Sequence, residues 1–414
     1  MKECELISKL VFRPTPQGKA EFLNPAGSPK DRVALQILLD AESDSFIAPH
    51  RGDCVFEGTV GSTGISLATL CRAKGYRCSI VLPDDVAEEK AQLLAKLGAE
   101  IKKVRPRGIV DPRHFVNEAR AQASAFGRSD FSTAETSNAT DEPDAQQPRG
   151  FFADQFETPS NFLAHYKGTG QEIWRQCGGR LGSDENDEDV EHDRPARLDA
   201  FVAGAGTGGT LSGVAAALHE KRDQLQVRKS RTPQAKGSTS NEDTSWPPTV
   251  RIVAADPFGS GLFHKVHHGV MYSSTEAEGT RRRHQVDSIV EGIGMNRITH
   301  NLSLGVDLVD DAVRVTDEEA VRMSRWLSVR DGLFVGSSSS VNVVAAVKTA
   351  MRLKREWAEK GVSEDDKRPT VVTILCDSGV RHLSKFHNDE VLKRDYDIEV
   401  PQDAMDVDIS DMLR

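Results

Sequence analysis

The stretch FVAGAGTGGTLSGVAAAL, residues 201–218, constrains the fold more than any other part of the sequence. It begins as an apolar strand pattern and ends as a helix pattern, and a glycine-rich turn from Gly204 to Gly209 joins the two. Such a turn presents unpaired backbone N–H groups at a helix N-terminus, where the helix dipole also favours an anion. The stretch therefore predicts a βα unit with an anion site, most simply a phosphate.

The same turn leaves two other interpretations open. Its spacing Gly204-x-Gly206-x-x-Gly209 matches the dinucleotide fingerprint, but that site wants an acidic residue about 20 positions later, at the end of the next strand. The next candidate strand ends much further on, at Asp256. The hydroxyls of Thr207 and Thr210 suit a single phosphate monoester better. A purely structural turn is the remaining alternative.

Short β-branched runs alternate with amphipathic helical stretches along the whole chain, which indicates parallel sheets with crossover helices and an α/β class. The candidate strands are 53–58, 78–83, 100–104, 200–206, 251–256 and 370–377. Three polar or Pro- and Ser-rich stretches interrupt this pattern and are interpreted as surface insertions: 129–150, 183–197 and 228–248. The tail beyond about residue 395 is expected to be loosely held.

Composition restricts the class of protein. With 414 residues and 38% hydrophobic content, the chain is long enough for two domains with ordinary cores. The net charge of −10 and the scattered basic residues argue against a nucleic-acid partner. No window reaches the ~18 consecutive apolar residues of a membrane span. The first residues lack a secretory or transit pattern, so an intracellular location, cytoplasmic or mitochondrial, is expected.

Cysteine and histidine patterns predict no metal site. The six cysteines show no CxxC and no regular framework, which fits a reducing compartment. The histidines of HKVHHGVMY, residues 264–272, have helix-compatible spacing but no acidic or cysteine ligand nearby.

Two further turns and one lysine carry possible chemistry. FEGTVGSTGISLATLCRAKGY, residues 56–76, is either an ordinary βα turn or a second anion site, for example for a carboxylate. GLFVGSSSSVNVVAAV, residues 332–347, is either a helix N-cap with spare hydroxyls or part of a site. In EFLNPAGSPKDRVALQILLD, residues 21–40, Lys30 stands at a loop-to-helix junction. A lysine, a phosphate turn, a carboxylate turn and a serine-lined turn together are the parts needed to hold pyridoxal phosphate and an amino acid.

In order, these motifs resemble the β-replacement enzymes of the tryptophan synthase β-subunit fold, namely cysteine synthase and cystathionine β-synthase. NPAGSPKDR is similar to the family's NPxGSxKDR, which implies that Lys30 binds the cofactor covalently and acts as general base. GAGTGGT matches the family's phosphate loop. The resemblance therefore implies phosphate binding by a set of adjacent residues, Gly206, Thr207, Gly208, Gly209 and Thr210.

The other motifs imply the rest of the site. FVGSSSSVN stands where the family has GISSGAA, whose first serine meets the pyridine nitrogen, so Ser338 takes that role. GTVGSTG stands where the family has PTSGNTG, which binds the substrate carboxylate and the cofactor's 3-hydroxyl. The implied residues of this turn are Thr59, Gly61 and Thr63 for the substrate and Ser62 for the cofactor. ADQFETPSNFLAHYKGTGQEIW is similar to QQFxNPAN…TGPEIW and places Gln155 beside the substrate carboxylate.

The resemblance covers roughly residues 21–390 outside the insertions. Within the family, the chain is most similar to the fungal cysteine synthase 2 branch, in the segments VFEGTVGSTGISLA, GTRRRHQVDSIVEGIG and CDSGVRHLSKF. It implies two domains, each a mostly parallel twisted sheet flanked by helices. The larger, cofactor-binding domain comprises 1–41 plus 160–390, the smaller, mobile one 42–159, and 391–414 is a tail. A homodimer is also implied.

The implied activity is PLP-dependent replacement of acetate in O-acetyl-L-serine by sulfide, giving L-cysteine. The alternatives are cystathionine synthesis from serine or a cysteine or serine lyase activity on the same scaffold, and a binding protein with reduced turnover. The sequence departs from the family at Val60 and Ser62, where the family has Ser and Asn. Before residue 20 it shows no counterpart of the family's IGNTPL segment or of the strand after it. Asp377 and Ser378 either lie near the pyridine end of the cofactor or, preferably, cap the next helix.

Overall fold

A computed structural model describes residues 2–3, 15–127, 147–180, 196–231, 249–273, 288–362 and 368–400. Most of each of the three expected insertions, and the tail beyond residue 400, lie outside the described residues. Within the described residues no helix is both long enough and apolar enough to span a bilayer.

Within the described residues, ten strands form two separate sheets, and all but one of their pairs are parallel. The strands are β1 (Lys2–Glu3), β2 (Thr15–Ala20), β3 (Cys54–Gly58), β4 (Arg77–Pro83), β5 (Glu100–Val104), β6 (Gly150–Phe152), β7 (Ala200–Gly204), β8 (Arg251–Pro257), β9 (Asp311–Val315) and β10 (Thr370–Leu375). The larger sheet has the order β1-β2-β10-β7-β8-β9, and the smaller has the order β5-β4-β3-β6. Among these described strands, β1 alone runs antiparallel to its neighbour.

Helices flank both sheets, as expected for parallel sheets whose two faces are covered. They are α1 (Lys30–Ser43), α2 (Ser62–Lys74), α3 (Glu88–Lys96), α4 (Phe115–Ala125), α5 (Pro159–Ala164), α6 (Gly170–Gln176), α7 (Gly209–Arg231), α8 (Leu262–His268), α9 (His300–Ser303), α10 (Asp317–Asp331), α11 (Ser337–Glu359) and α12 (Asp389–Tyr396). A π-helical turn, His165–Thr169, joins α5 to α6. Short 3-10 turns lie at Glu21–Leu23, Val306–Leu308 and Gly379–Arg381.

The α/β class and the six expected strands are confirmed, with ends that shift by a few residues. The strands β3, β4, β7, β8 and β10 are almost wholly buried, which explains why their sequences read as continuous apolar runs. Apolar clusters fill both faces of the larger sheet and the layer between the smaller sheet and its helices.

The strand β2 was not expected, because its sequence TPQGKA contains proline, glycine and lysine and lacks a β-branched run. Parallel pairing with β10 along its whole length sets its conformation. Gly18 lies against Leu375, where a Cβ would be 2.6 Å from the leucine Cδ1. The chain therefore does form a strand directly before Glu21, although the sequence of that strand does not resemble the family's.

Helix α1 packs its apolar side into the core of the smaller sheet. Val33, Ala34, Ile37 and Leu38 are buried in one cluster with the residues of β3 and β4. The expected domain boundary after residue 41 thus falls near the end of a helix that contacts the smaller sheet.

Candidate active site

The residues singled out from the sequence lie beyond the carboxyl ends of parallel strands, where ligands bind in open α/β sheets. Thr59 to Thr63 follow β3, Gln155 lies shortly after β6, and Gly206 to Thr210 follow β7. Lys30 begins α1 and Ser338 lies in the first turn of α11. The following contacts show which of these groups the fold brings together.

Lys30 lies among groups that follow β10. Its amine interacts electrostatically with Cys376 and Asp377, and its side chain is half-buried. Desolvation lowers the pKa of the Lys30 amine, against the opposing pull of those two side chains. A lowered pKa increases the neutral fraction of the amine, which is the form that attacks a carbonyl carbon and accepts a proton.

The loop before Lys30 is fixed by the next residue. Asp31 accepts a hydrogen bond from the Ala26 backbone N–H (2.6 Å) and another from the Ser66 hydroxyl (2.5 Å). Because Ser66 belongs to α2, Asp31 joins the lysine loop to the helix that follows the 58–64 turn.

The turn from Gly206 to Thr210 requires its glycines. A Cβ on Gly206 would lie 2.0 Å from the Gly292 carbonyl oxygen, and one on Gly209 would lie 2.0 Å from Asn161 Oδ1. Gly208 has φ +85°, which favours glycine. The turn opens the 23-residue helix α7, so its N–H groups and the helix dipole favour an anion.

Both threonines of this turn are positioned by buried side chains. Asn161 Nδ2 donates to Thr207 Oγ1 (2.8 Å) and to the Gln155 carbonyl (2.8 Å). Thr210 Oγ1 lies 3.0 Å from His165 Nε2. The 206–210 turn is thereby held by one buried Asn and one buried His, which lie more than 40 residues earlier in the chain.

His165 also connects this turn to Lys30. Its other ring nitrogen, Nδ1, lies 2.9 Å from Thr169 Oγ1, across the π-helical turn. Burial, and then the nearby charges of Lys30 and Arg32, hold the pKa of His165 well below its usual value, so the ring is neutral. The charge of Lys30 thus acts on the same imidazole that contacts Thr210, and the helix that Lys30 begins packs against the π-helical turn that carries this imidazole.

The turn after β3 is supported differently. Gly61 has φ +135°, and a Cβ there would lie 2.6 Å from Lys90 Cδ. The Gly61 N–H donates to Thr59 Oγ1 (3.2 Å), and the next residue, Ser62, begins α2. Val60, which replaces the family's serine, packs against the apolar cluster around Phe115 and leaves no hydroxyl at this position.

Gln155 joins this turn to the strand before it. The Thr63 hydroxyl donates to Gln155 Oε1 (2.5 Å), and Gln155 Nε2 donates to Glu57 Oε1 (3.1 Å). Burial raises the pKa of the fully enclosed Glu57 to about 8. Glu57 therefore sets the orientation of the Gln155 amide, with its oxygen toward Thr63.

The serine-lined turn is not a side-chain N-cap. Gly336 occupies the cap position of α11, and among the described residues no side chain makes the capping bond there. Instead Ser337 Oγ accepts from the Glu291 N–H (3.1 Å) and Ser339 Oγ accepts from the Cys376 N–H (2.8 Å). The N-cap alternative is therefore wrong, because these hydroxyls bind two other segments of the site.

Ser338 lies beside the cysteine that follows β10. Burial raises the pKa of Cys376 to about 12, and the Ser338 hydroxyl acts against that rise. Since Cys376 also interacts with Lys30, the serine lies in the lysine's immediate surroundings.

Two roles were considered for Asp377 and Ser378, a place in the site and a helix cap. The structure gives the cap to Ser378 and a place near Lys30 to Asp377. Ser378 Oγ accepts from the Val380 N–H (3.4 Å) and caps the 3-10 turn Gly379–Arg381, as preferred. Asp377 is buried and its Oδ2 lies 3.0 Å from His382 Nε2. Although burial raises it, the positive neighbours, His382 first among them, hold the pKa of Asp377 below its usual value. Asp377 therefore places an ionised carboxylate close to Lys30 instead of capping a helix.

Sequence reasoning missed Glu57, Asn161 and His165. Each of them acts through a partner at least 45 residues away along the chain, so no local spacing identifies it. Asn161 and His165 did lie inside the quoted segment ADQFETPSNFLAHYKGTGQEIW, and their burial separates them from the surface residues around them.

Comparisons with known proteins agree with this geometry. Residues 18–377 match the family model described as "Pyridoxal-phosphate dependent enzyme". The chain is 52% identical over 369 residues to "Cysteine synthase 2" of Neurospora crassa, an alignment that covers 89% of this chain and 66% of that relative. It is 42% identical over 384 residues to a Saccharomyces cerevisiae protein named as a mitochondrial cysteine synthase, covering 93% of this chain and 80% of the relative.

A solved structure shows the same fold. The crystal structure of a mutant O-ureido-L-serine synthase with bound O-ureido-L-serine is similar with a TM-score of 0.59 and 26% identity, over 94% of this chain and 88% of that one. Both chains have two parallel-sheet α/β domains flanked by helices.

The described residues fit pyridoxal phosphate. A turn whose glycines leave no room for a Cβ offers N–H groups to a phosphate, and the charge of a desolvated lysine acts on the imidazole that holds Thr210. The hydroxyl of Ser338 lies beside the same lysine, within the cluster around Cys376. An anion cradle, an amine and a neutral hydroxyl are the complementary groups for the phosphate, the aldehyde and the ring nitrogen.

Proposed function

This chain belongs to the pyridoxal-phosphate dependent enzyme family, and on that premise we propose that it is a cysteine synthase of the cysteine synthase 2 type. It replaces the acetate of O-acetyl-L-serine by sulfide and releases L-cysteine. One observation carries the proposal: the glycine cradle at Gly206–Thr210 contacts His165, which lies on a turn packed against the helix begun by Lys30, and the charge of the desolvated Lys30 amine acts on that imidazole.

The residues have separate roles. Lys30 would hold the cofactor covalently through its amine, and the same amine, when free, would take the proton from the α-carbon of the amino acid. The turn Gly206–Thr210 binds the phosphate through backbone N–H groups and two hydroxyls, and Ser338 meets the ring nitrogen. When bound, the cofactor supplies an electron sink for the negative charge that develops at the α-carbon.

The amino acid is held by the smaller sheet's turn. Thr59, Gly61 and Thr63, with Gln155, bind its carboxylate, and Ser62 reaches the cofactor's 3-hydroxyl. A neutral serine at the ring nitrogen leaves the ring less strongly protonated than a carboxylate would, which favours loss of a β-substituent over transamination. Closure of this turn over the bound substrate excludes water.

The domain division remains part of the proposal. Residues 1–41 with 160–390 form the larger domain and 42–159 the smaller, and the packing of α1 onto the smaller sheet makes that helix the connection between them. We also propose a homodimer, which light scattering on the purified protein would test. The Saccharomyces cerevisiae relative's name supports a mitochondrial location, with the cytoplasm as the alternative.

A spectral titration tests the function. The purified protein loaded with pyridoxal phosphate is expected to show a visible band from the lysine–cofactor bond. Adding O-acetylserine should shift that band, and adding sulfide should restore it while L-cysteine appears. If serine with homocysteine restores it in place of sulfide, the activity is cystathionine synthesis. An unchanged spectrum with every substrate would identify a binding protein instead.

A further inference from the structure

We propose that Lys90 is a positioning residue that fixes the substrate-carboxylate turn relative to Lys30, by pairing with Glu291 across the two sheets. Lys90 lies in α3, between β4 and β5 of the smaller sheet, whereas Glu291 lies between β8 and β9 of the larger. The inference rests on the proposed function, because it deepens the role given to the 59–63 turn.

On its smaller-sheet side, Lys90 supports the turn directly. Its Cδ lies where a Cβ on Gly61 would be 2.6 Å away, so the turn's backbone rests on the aliphatic part of the lysine. Gly61 is followed by Ser62 and Thr63, so a shift of Lys90 is transmitted to the groups that face the substrate.

On the other side, the Lys90 ammonium forms an ion pair with Glu291 that is almost wholly excluded from solvent. The Lys90 side chain is 3% exposed and that of Glu291 12%. Lys385 Nζ lies 3.2 Å from the other oxygen of Glu291. Although burial raises it, the neighbouring side chains of Lys90, Lys385 and His382 hold the pKa of Glu291 down at about 2, so its carboxyl group is ionised at neutral pH.

From Glu291 the contacts continue to the lysine of the cofactor site. His382 Nδ1 lies 3.7 Å from Glu291 Oε2, and the other ring nitrogen of His382 lies 3.0 Å from Asp377 Oδ2. Asp377 in turn interacts with Lys30. A row of contacts thus runs from the turn at Gly61 to Asp377, and the charge of Asp377 acts on the Lys30 amine.

A second residue of α3, Glu89, also contacts a segment that follows the larger sheet's strand β10. The carboxylate of Glu89 accepts hydrogen bonds from the Ser384 N–H (2.6 Å) and from the Ser384 hydroxyl (2.7 Å). Glu89 and Lys90 therefore attach one helix of the smaller sheet to two segments that belong to the larger sheet.

The same helix supplies a matched control. Glu88 pairs with Lys103 at 3.2 Å, but the two side chains are 60% and 42% exposed, and both belong to the smaller sheet's side. Exposed pairs contribute little, whereas removing one partner of a buried pair leaves an uncompensated charge. Glu88→Gln therefore changes the charge of α3 without disturbing the contact between the sheets.

The experiment compares four variants: Lys90→Gln, Lys90→Arg, the double variant Lys90→Gln with Glu291→Gln, and Glu88→Gln. We expect Lys90→Gln to raise the KM for O-acetylserine about tenfold or more, while kcat and the visible band without substrate change much less. Lys90→Arg should restore the KM to within about threefold, because it keeps the charge and the aliphatic stem. Glu88→Gln should match the wild-type protein.

The double variant separates positioning from simple destabilisation. It removes the buried carboxylate together with the buried ammonium and leaves only Lys385, whose side chain is 24% exposed, without its partner, so it should recover part of the stability while its KM stays high. A wild-type KM in Lys90→Gln or in the double variant, or a failure of Lys90→Arg to restore it, would overturn the proposal. If Lys90→Gln does not fold, the double variant and Lys90→Arg still decide the question.

Amide exchange without substrate distinguishes this inference from the function itself. Loss of the pair should speed deuterium uptake in peptides that contain residues 58–64, at least about fivefold, but not in peptides that contain 204–210. If O-acetylserine has no effect on any protein while exchange changes in this way, the positioning role stands and the cysteine synthase proposal fails. Unchanged exchange at 58–64 would contradict the positioning role.

Discussion

The turns at 204–210 and 58–64 have the same plan, a parallel strand followed by glycines and a helix, yet their surroundings differ. The first is enclosed largely by fixed groups: Gly206 faces a backbone carbonyl and Gly208 faces the backbone of Leu302. The second also begins against backbone, since Gly58 faces Val116, but at Gly61 it rests on the methylene chain of Lys90, a side-chain support that depends on the ion pair with Glu291. A turn that holds a resident anion benefits from rigidity, whereas one that binds and releases a substrate needs a support that can move.

The largest expected effect concerns Lys30. Lys30→Ala should abolish the visible lysine–cofactor band and lower kcat by about 10²–10⁴-fold, because the variant lacks both the covalent bond and the base. The cofactor should nonetheless remain bound through the 206–210 turn, which ultrafiltration followed by absorbance would measure.

Lys96→Ala, which removes an exposed lysine of α3, serves as the control and should behave as the wild-type protein. An unchanged visible band in Lys30→Ala would remove Lys30 from its role. Complete loss of cofactor would show that the glycine turn alone is not the resident anchor.

Substituting one glycine in each turn tests the comparison directly. In Gly206→Ala the new Cβ would lie 2.0 Å from a backbone oxygen, so we expect cofactor affinity to fall by about tenfold or more. In Gly61→Ala the new Cβ would meet the Lys90 side chain at 2.6 Å instead of backbone, so the variant displaces Lys90 and adds the backbone strain of φ +135°, about 1–3 kcal/mol. Cofactor affinity in that variant should be nearly unchanged, while the KM for O-acetylserine rises.

Cofactor titration of the apoprotein and urea unfolding measure these two effects separately. Gly168→Ala is the matched control, since its nearest neighbour would be Arg32 Nη1 at an ordinary 3.6 Å. Equal losses of cofactor affinity in Gly206→Ala and Gly61→Ala would contradict the difference between the two turns.

The fold was readable from the sequence wherever a strand is buried on both sides, because such strands are continuous apolar runs. The strand β2 was not readable, since TPQGKA becomes a strand only through its pairing with β10, near the opposite end of the chain. Lys30 and the glycine turns were found because each is a local motif. Glu57 and His165 were not, because their roles depend on contacts with Gln155 and Thr210 that only the folded chain makes.

A smaller effect is expected in the pH dependence of stability, through Glu57, which contacts the 58–64 turn by way of Gln155. The pKa of Glu57 is raised to about 8 from its ordinary 4.5, so the folded protein holds a proton that the unfolded chain loses between those values. Its contribution to stability is therefore complete below about pH 4.5 and is lost as pH rises toward 8, by at most about 1.4 kcal/mol per pH unit. Glu57→Gln should flatten the pH dependence of the urea midpoint between about pH 5.5 and 8.

The control for this measurement is Glu100→Gln, which removes an exposed carboxylate of β5 paired with Arg77. It should leave the slope of stability against pH unaltered. A slope that persists in Glu57→Gln would mean that Glu57 ionises at its ordinary pH and orients Gln155 as a permanent carboxylate.

The smallest effect is expected at Val60, where the family's serine is missing. The side chain packs against the apolar cluster around Phe115 and Val116, so it is directed away from the groups that bind the carboxylate. Val60→Thr keeps the shape and adds a hydroxyl to an apolar contact, which should destabilise the protein by about 1–2 kcal/mol. The KM for O-acetylserine should stay within about twofold of the wild-type value, and Val60→Ala separates loss of packing from gain of polarity. A clearly lower KM in Val60→Thr would instead place position 60 at the substrate, and the second turn would then differ from the first in chemistry as well as in support.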